Sequence, residues 1–132
     1  MTVMDYMLLP AQLAGIRDVS AYRRASQVLM DSPLRDKKSV RIDFLSNYER
    51  CLLWLSMSFM TGPQVLIMGD CTRGLDENEE SSFWHYVRAY INKYAITLLC
   101  FSGRLDKPYP FHRKYELKNS KLILLPHGII DV

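Results

Sequence analysis

Several polar side chains stand directly beside apolar segments, where they could do chemistry. Asp70 follows the apolar run QVLIM. A carboxylate at the end of a buried strand can organise a metal ion or polarise water, although aspartate is also a common turn residue. Ser46 precedes Glu49 by three residues, and Asp76 precedes Glu79 by three. This capping-box spacing begins a helix, and helix N-termini are suited to binding phosphate.

The residue spacing does not support other site chemistries. The three histidines and the cysteines Cys51, Cys71 and Cys100 form no C-x-x-C or H-x-x-x-H pattern, so no metal site is predicted. The 132 residues contain neither a G-x-S-x-G elbow nor a GxxxxGK[ST] phosphate loop. An odd number of cysteines favours a reducing, intracellular compartment over a disulfide scaffold.

Composition and charge indicate one ordinary globular domain. The chain has 132 residues, of which 48% are hydrophobic and 23% charged, and its net charge is +3. We therefore expect a single domain over residues 1–132, neither disordered nor fibrous. Polar residues and a proline interrupt the longest apolar stretch, and the first residues lack a basic signal-peptide start. No membrane span is expected, and the predicted location is cytoplasmic.

Two basic segments could in principle contact nucleic acid. Arg35 to Arg41 is a short basic run, and Arg104 to Lys118 mixes basic with aromatic side chains. The modest net charge, with Asp106 and Glu116 inside the second segment, favours solvated loops in both places. No nucleic-acid partner is predicted.

The pattern of apolar residues changes about half-way along the chain. Helical spacing and caps predict helices over residues 4–13, 18–30, 46–61 and 76–94, with Pro10 bending or ending the first. Short apolar runs predict strands at 64–68, 95–101, 121–125 and 129–132. The predicted fold class is α/β. A helical subdomain over about residues 1–61 precedes a core with parallel strands and flanking helices over about residues 62–132.

The order of the motifs resembles a known family. The segments LSNYER, MTGPQVLIMGDCTRGLD and AITLLCFSGR are similar to the second half of an ABC-type ATPase, the nucleotide-binding domain of ABC transporters. That family has an LSGGQ signature loop, a DEPTxGLD segment with the Walker B acids, and a strand ending in a switch histidine. The N-terminal TVMDYMLLPAQLAG resembles the branch serving lipoprotein-release and macrolide-exporter systems. The resemblance implies a helical subdomain followed by a partial P-loop NTPase (RecA-like) sheet.

The segment from Leu45 to Glu49 stands at the position of the signature loop. In the family, the serine and backbone amides of this loop hold the γ-phosphate of ATP on a partner domain. The resemblance makes Ser46, Asn47, Tyr48 and Glu49 the candidate nucleotide-binding residues. Asn47 and Tyr48 replace two glycines, and a tyrosine side chain would crowd the phosphate. A plain helix cap, formed by Ser46 and Glu49, is the simpler interpretation.

The Walker-B-like segment carries one acid where the family has two. With Thr72 to Asp76 aligned on TxGLD, Gly69 falls at the magnesium-binding aspartate and Asp70 at the catalytic glutamate. A slip of one residue would put Asp70 at the magnesium position and Cys71 at the catalytic one. The slip needs a deletion, so the first alignment is preferred. A lone carboxylate cannot both organise the metal and polarise the attacking water.

Two further segments stand at family motif positions, and only the first of them matches the family sequence. Gly74, Leu75 and Asp76 match the D-loop, which lies at the dimer interface in the family, while Asp76 also suits a helix N-cap. The switch histidine is replaced, because Ser102 and Gly103 stand at its position.

These departures predict a chain with no ATPase activity of its own. The resemblance implies a truncated, degenerate ABC transporter ATP-binding subunit, a non-hydrolysing structural or regulatory partner of a transport ATPase, or the C-terminal half of a split ATPase. No cofactor is predicted, since ATP with Mg²⁺ would bind only if a partner supplied the P-loop. The expected partners are a membrane permease, a P-loop ATPase subunit or a second copy, at the cytoplasmic face of the membrane. The alternative is a small α/β interaction or regulatory protein that binds no nucleotide.

Overall fold

The computed structural model describes residues 1–101 and 115–124, in two compact units, Met1–Phe101 and Ser102–Val132. The first unit carries four helices, one 3-10 turn and two strands, and the second carries two strands. Their bounds are α1 Val3–Leu13, α2 Asp18–Met30, the 3-10 turn Ile42–Phe44, α3 Asn47–Ser58, β1 Val65–Met68, α4 Glu77–Lys93, β2 Thr97–Cys100, β3 Tyr115–Lys118 and β4 Lys121–Leu124. In these described ranges no helix is long and apolar enough to cross a bilayer.

The four predicted helices are present, with differences at Pro10 and at the end of α3, which stops at Ser58 and not at residue 61. The α1 helix does not end at this proline but continues to Leu13. A proline removes one hydrogen bond of the helix ladder. The turn after it is still held, because the Ala14 amide donates to the Pro10 carbonyl at 3.0 Å and the Ile16 amide donates to the Ala11 carbonyl at 2.9 Å.

The core of the first unit forms where α1 packs on α2 and α3, and the end of α3 also contacts α4. The rings of Phe59 and Tyr90 stack with their centroids 3.8 Å apart. The Ser56 and Tyr86 hydroxyls are hydrogen-bonded at 3.0 Å, which satisfies two buried polar groups. The Arg24 guanidinium donates to the Met60 carbonyl at 2.9 Å and fastens α2 to the end of α3. These contacts hold α3 and α4 in fixed positions beside the sheet.

The β1 and β2 strands form a two-stranded parallel sheet, as predicted from the alternation of strands and helices. Met68 lies opposite Cys100 in the register. Leu66 and Met68 are buried, whereas Val65 and Ile67 are exposed. Because side chains alternate across a strand, one sheet face packs on the protein and the other is bare.

The second unit corrects the sequence interpretation of its segment. Residues 121–125 were expected in the parallel sheet, and Arg104 to Lys118 in an exposed loop. Instead, β3 and β4 pair with each other in antiparallel register, while residues 104–114 lie outside the described part of the chain. Asn119 and Ser120 between them both have positive φ, at 51° and 61°, as a tight two-residue hairpin turn requires. The strand predicted at 129–132 lies outside the described residues.

Candidate functional site

The N-terminus of α3 is closed by its own side chains. The Ser46 hydroxyl accepts a hydrogen bond from the Glu49 amide at 3.1 Å. The Glu49 carboxylate accepts one from the Ser46 amide at 3.0 Å. This reciprocal pair is the predicted capping box, and it satisfies two amides that a helix N-terminus would otherwise offer to a ligand.

The Glu49 carboxylate also forms an ion pair with Lys37. Burial alone would raise the pKa of the Glu49 carboxyl, but the hydrogen bonds from Lys37 and Ser46 outweigh it, and the net pKa is lowered. The carboxylate therefore keeps its negative charge at neutral pH. A fixed anion at this helix end disfavours the binding of a second anion there.

Lys37 belongs to the basic run that was expected to be a solvated loop. The run has no helix or strand, but it is tied to the fold as well as solvated. The Lys38 carbonyl accepts from the Met4 amide at 3.0 Å, and the Val40 carbonyl accepts from the Val3 amide at 2.9 Å. These bonds bring the run beside the start of α1 and leave Lys37 within reach of Glu49.

Asn47 and Tyr48 connect the start of α3 to neighbouring elements. The Asn47 side-chain nitrogen lies 3.6 Å from the place where a Cβ would stand on Gly74. Tyr48 lies beside Ser82 of α4 in the lining of one cleft, and burial raises the pKa of the Tyr48 hydroxyl. The structure thus brings the signature-like residues next to the D-loop-like segment, as a side-by-side contact within one chain.

Asp70 lies at the end of β1 on the surface. Its carboxylate accepts from the Arg73 guanidinium at 3.5 Å. At the neighbouring Gly69, an added Cβ would meet no atom within 4 Å. The missing second acid is therefore not excluded by crowding, and Asp70 has a cation as its partner in place of a second carboxylate.

The loop from Gly69 to Asp76, here called the 69–76 loop, joins β1 to α4. Gly74 has φ of 88°, which an L side chain rarely adopts. Asp76 caps α4, because its carboxylate accepts from the Glu79 amide at 2.8 Å, while the Glu79 carboxylate accepts from the Asp76 amide at 3.1 Å. Leu75 is half-buried and its amide donates to the Thr72 carbonyl at 3.2 Å. A D-loop role for these residues stays a prediction.

The switch position and possible metal sites were the next candidates. Ser102 and Gly103, at the position of the switch histidine, lie outside the described residues. In the described part of the chain, no group of three or more His, Cys, Asp or Glu side chains could hold a metal ion.

Tyr48 lines an open cleft of about 570 Å³ that also includes Asp31 and His85 but no Lys or Arg. The acid of this lining, Asp31, forms an ion pair with Lys93 at 3.0 Å, and a lining without Lys or Arg does not suit a nucleotide phosphate.

Two partners of the signature-like residues were missed by sequence reasoning. Lys37 is 12 residues from Glu49, and Ser82 is on a different helix from Tyr48. The only available signal was the excess of cations in the run containing Lys37. No periodic pattern connects either pair, because both contacts arise from the packing of separate elements.

The comparisons with known proteins agree on one family. The lipoprotein-releasing system ATP-binding protein LolD of Nitrobacter hamburgensis is 21% identical over 124 residues, which are 94% of this chain and 53% of that protein. The ATP-binding cassette sub-family A member 17 of Rattus norvegicus is 28% identical over 63% of this chain and 5% of its own length. In fold, the chain is similar to MJ1267, an ATP-binding cassette of an ABC transporter, with a TM-score of 0.78 and 20% identity. The chain fits a partial ABC-type ATPase domain.

The similarity to ABC-type ATPases covers only part of those proteins. The MJ1267 match covers 93% of this chain and 54% of that chain. The chain thus spans about half the length of LolD and of the solved ABC ATPase domain. No family model matches it.

Proposed function

We propose that the chain is a degenerate ABC transporter ATP-binding subunit that does not hydrolyse ATP by itself. It acts as a structural or regulatory part of a transport ATPase complex at the cytoplasmic face of a membrane. The relatives that carry ATP-binding names support the family, and the geometry around α3 supports the loss of hydrolysis.

The observation that carries the proposal is the Glu49 carboxylate on the N-terminus of α3. At this position, an ABC ATPase is expected to present free backbone amides to the γ-phosphate. Here the carboxylate accepts from the Ser46 amide and pairs with Lys37. A phosphate would have to displace a charged group that already has two partners. Its approach would also bring two anions together in a partly buried place.

The acidic residues that would position Mg²⁺ at the end of β1 are also incomplete. Asp70 is the acid retained at the end of β1, and its partner is Arg73. Hydrolysis of ATP requires a positioned Mg²⁺ and an oriented water, which a single ion-paired carboxylate does not supply. If ATP with Mg²⁺ binds to the assembly, a partner that carries a P-loop holds it.

The bare face of the β1–β2 sheet supports a partner of that kind. Val65, Ile67, Leu99 and Phe101 are exposed, with Ile67 at 65%. Among the described residues no third strand pairs with this sheet. Exposed apolar sheet faces and unpaired edges mark interaction surfaces. We assign this surface to a P-loop-containing ATPase subunit, the class of partner that the similarity to ABC transporter ATP-binding proteins suggests.

The ATPase proposal is tested by measuring nucleotide binding and turnover on the purified chain. Isothermal titration with Mg–ATP should give no saturable heat, and phosphate release should equal that of buffer. An intact ABC ATPase run in parallel shows that the conditions support activity. A turnover that disappears in Asp70→Asn would overturn the proposal, because it would show a working catalytic acid.

The partner proposal is tested by affinity capture from source cells in mild detergent, read by mass spectrometry. Recovery of a P-loop ATPase subunit, with or without a permease, is the expected result. Ile67→Lys should lower that recovery strongly, whereas Val19→Lys, at a position 74% exposed on α2, should not. Recovery of the chain alone, or equal recovery with both variants, would contradict this assignment of the sheet face.

A further inference from the structure

Three cysteines from three separate elements meet at the 69–76 loop. Cys51 lies near the start of α3, Cys71 lies in the loop and Cys100 is the last residue of β2. All three are free and half-buried. They are 20 and 29 residues apart along the chain, so only the fold brings them together.

Two backbone carbonyls of the loop connect the three residues. The Cys51 thiol donates to the Cys71 carbonyl at 3.6 Å. The Cys100 thiol lies 4.0 Å from the Gly69 carbonyl oxygen, which also accepts from the Cys71 amide at 2.8 Å. One carbonyl therefore contacts both the Cys100 sulfur and the Cys71 backbone.

Cys100 is the preferred candidate to pair with Cys71. Its sulfur contacts the Gly69 carbonyl, which the Cys71 amide also contacts, and it contributes more than the Cys51 sulfur to the raised pKa of the Cys71 thiol. The backbone of Cys100 is held in place, because Cys100 lies opposite Met68 in the β1–β2 register.

We propose that Cys71 and Cys100 form a reversible disulfide that fastens the 69–76 loop to the end of β2. The oxidant is a low-molecular-weight disulfide such as oxidised glutathione. This modification site is independent of any nucleotide chemistry, and it lies on the loop that carries Asp70 and Gly74.

The exchange balances in two steps. A thiolate of the pair attacks a sulfur of oxidised glutathione, so that one protein–glutathione S–S bond forms and one glutathione leaves as its thiolate, which takes up a proton. The second protein thiolate then attacks the protein sulfur of that mixed disulfide and expels the second glutathione. Two protein thiols are oxidised, one glutathione disulfide is reduced, and two protons pass from the protein thiols to the two glutathione thiols.

The surroundings of the thiols set the pH dependence of the reaction. Burial first, and then the Cys100 and Cys51 sulfurs and Asp70, raise the pKa of the Cys71 thiol to about 11. Burial and Asp70 raise the pKa of Cys100, and burial and Glu79 raise that of Cys51. Disulfide formation should accelerate about tenfold per pH unit between about pH 7 and pH 9, whereas an exposed thiol levels off near about pH 8.5.

The proposal is tested on the full chain by incubation with oxidised glutathione, alkylation of free thiols and digestion with trypsin without reduction. Cys51 and Cys71 share the tryptic peptide 51–73, while Cys100 lies in the peptide 94–104. A Cys71–Cys100 disulfide therefore links these two peptides, and dithiothreitol separates them. The linked pair should persist in Cys51→Ser and disappear in Cys71→Ser and Cys100→Ser.

The wild-type digest keeps the test decisive if a variant does not fold. A disulfide between Cys51 and Cys71 would stay within peptide 51–73 and lower its mass by two hydrogens without a link, and that result would overturn the proposal. Loss of the linked pair in a folded Cys51→Ser protein, glutathione left on Cys71, or no reaction at any pH would overturn it as well. The same treatment in concentrated guanidinium chloride should scramble the pairing, which shows that the fold selects the pair.

Discussion

The N-termini of α3 and α4 carry the same local motif in different settings. In both, the cap side chain and the glutamate three residues later exchange hydrogen bonds of 2.8–3.1 Å. At α3, the Glu49 carboxylate also binds Lys37 from a distant loop, and its side chain is only 17% exposed. At α4, Asp76 and Glu79 form the box beside the 69–76 loop.

A capping box can therefore either connect separate parts of the fold or stabilise only its own helix. At α3 the box is part of the tertiary structure, because removing Glu49 would break a link between the loop before α3 and the helix itself. At α4 the box stabilises its own helix and leaves the Asp76 region available to a partner. Substitutions at matched positions of the two boxes measure how much the ion pair with Lys37 adds at α3.

The largest expected effect is the difference between Glu49→Ala and Glu79→Ala. Glu49→Ala should lower the free energy of unfolding by about 2 kcal/mol, because it removes a cap bond and the partner of a partly buried lysine. Glu79→Ala should cost less than about 1 kcal/mol. Urea denaturation of both variants measures the values. Equal losses would mean that the ion pair with Lys37 contributes nothing.

The pH dependence of stability should separate Glu49 from other acids. Its pKa is lowered in the folded protein, so it contributes stability above its unfolded pKa, and this contribution is lost as the pH falls through the folded pKa. The stability gap between wild type and Glu49→Gln should therefore be full near pH 7 and shrink below about pH 4.5. Denaturant titrations at both pH values measure the gap. A gap that stays constant or grows on acidification would contradict the assignment.

The two N-cap residues offer a matched pair for the interface question. Ser46→Ala and Asp76→Ala should each cost about 1 kcal/mol of stability, since each removes one side-chain cap. If Asp76 also lies at a partner interface, Asp76→Ala alone should weaken the capture of a P-loop ATPase subunit. The test compares the capture yields of the two variants at equal amounts of folded chain, which shows whether Asp76 contributes to a partner interface. Equal yields would leave Asp76 with its capping role only.

The smallest expected effect is that of Asp70→Asn. Phosphate release should stay at the level of buffer, and the free energy of unfolding should change by less than about 0.5 kcal/mol, because the pair with Arg73 is on the surface. Arg73→Gln is the matched control for the ion pair. A marked loss of stability in either variant would show that this surface pair is more important than its exposure indicates.

Local patterns predicted most of the first unit. The capping boxes at Ser46 and Asp76, the helices after them and the strand at 65–68 all follow from residues close together in sequence. The pairing of β1 with β2 also followed, because a helix between two strands favours parallel neighbours. The ABC resemblance came from the order of such local motifs along the chain.

Contacts between residues that are distant along the chain could not be predicted from the sequence. The Lys37–Glu49 pair, the approach of Asn47 to Gly74 and the meeting of the cysteines depend on how finished elements pack. The antiparallel hairpin of β3 and β4 was missed for another reason. The mixed basic and aromatic composition before Tyr115 has no clear period, and a two-residue turn of Asn and Ser is a weaker hairpin signal than one with Gly.

The bare β1–β2 sheet face also bears on how the chain is made in the cell. Exposed Val65, Ile67 and Leu99 on short strands with open edges can pair with the same strands of another copy. If the proposed P-loop ATPase subunit covers this face, chains synthesised in excess over it would self-associate and be removed by chaperones and proteases. In that case the amount of this protein should follow the amount of that subunit. Synthesis from the same transcript as the partner would be the simplest way to keep the two in proportion.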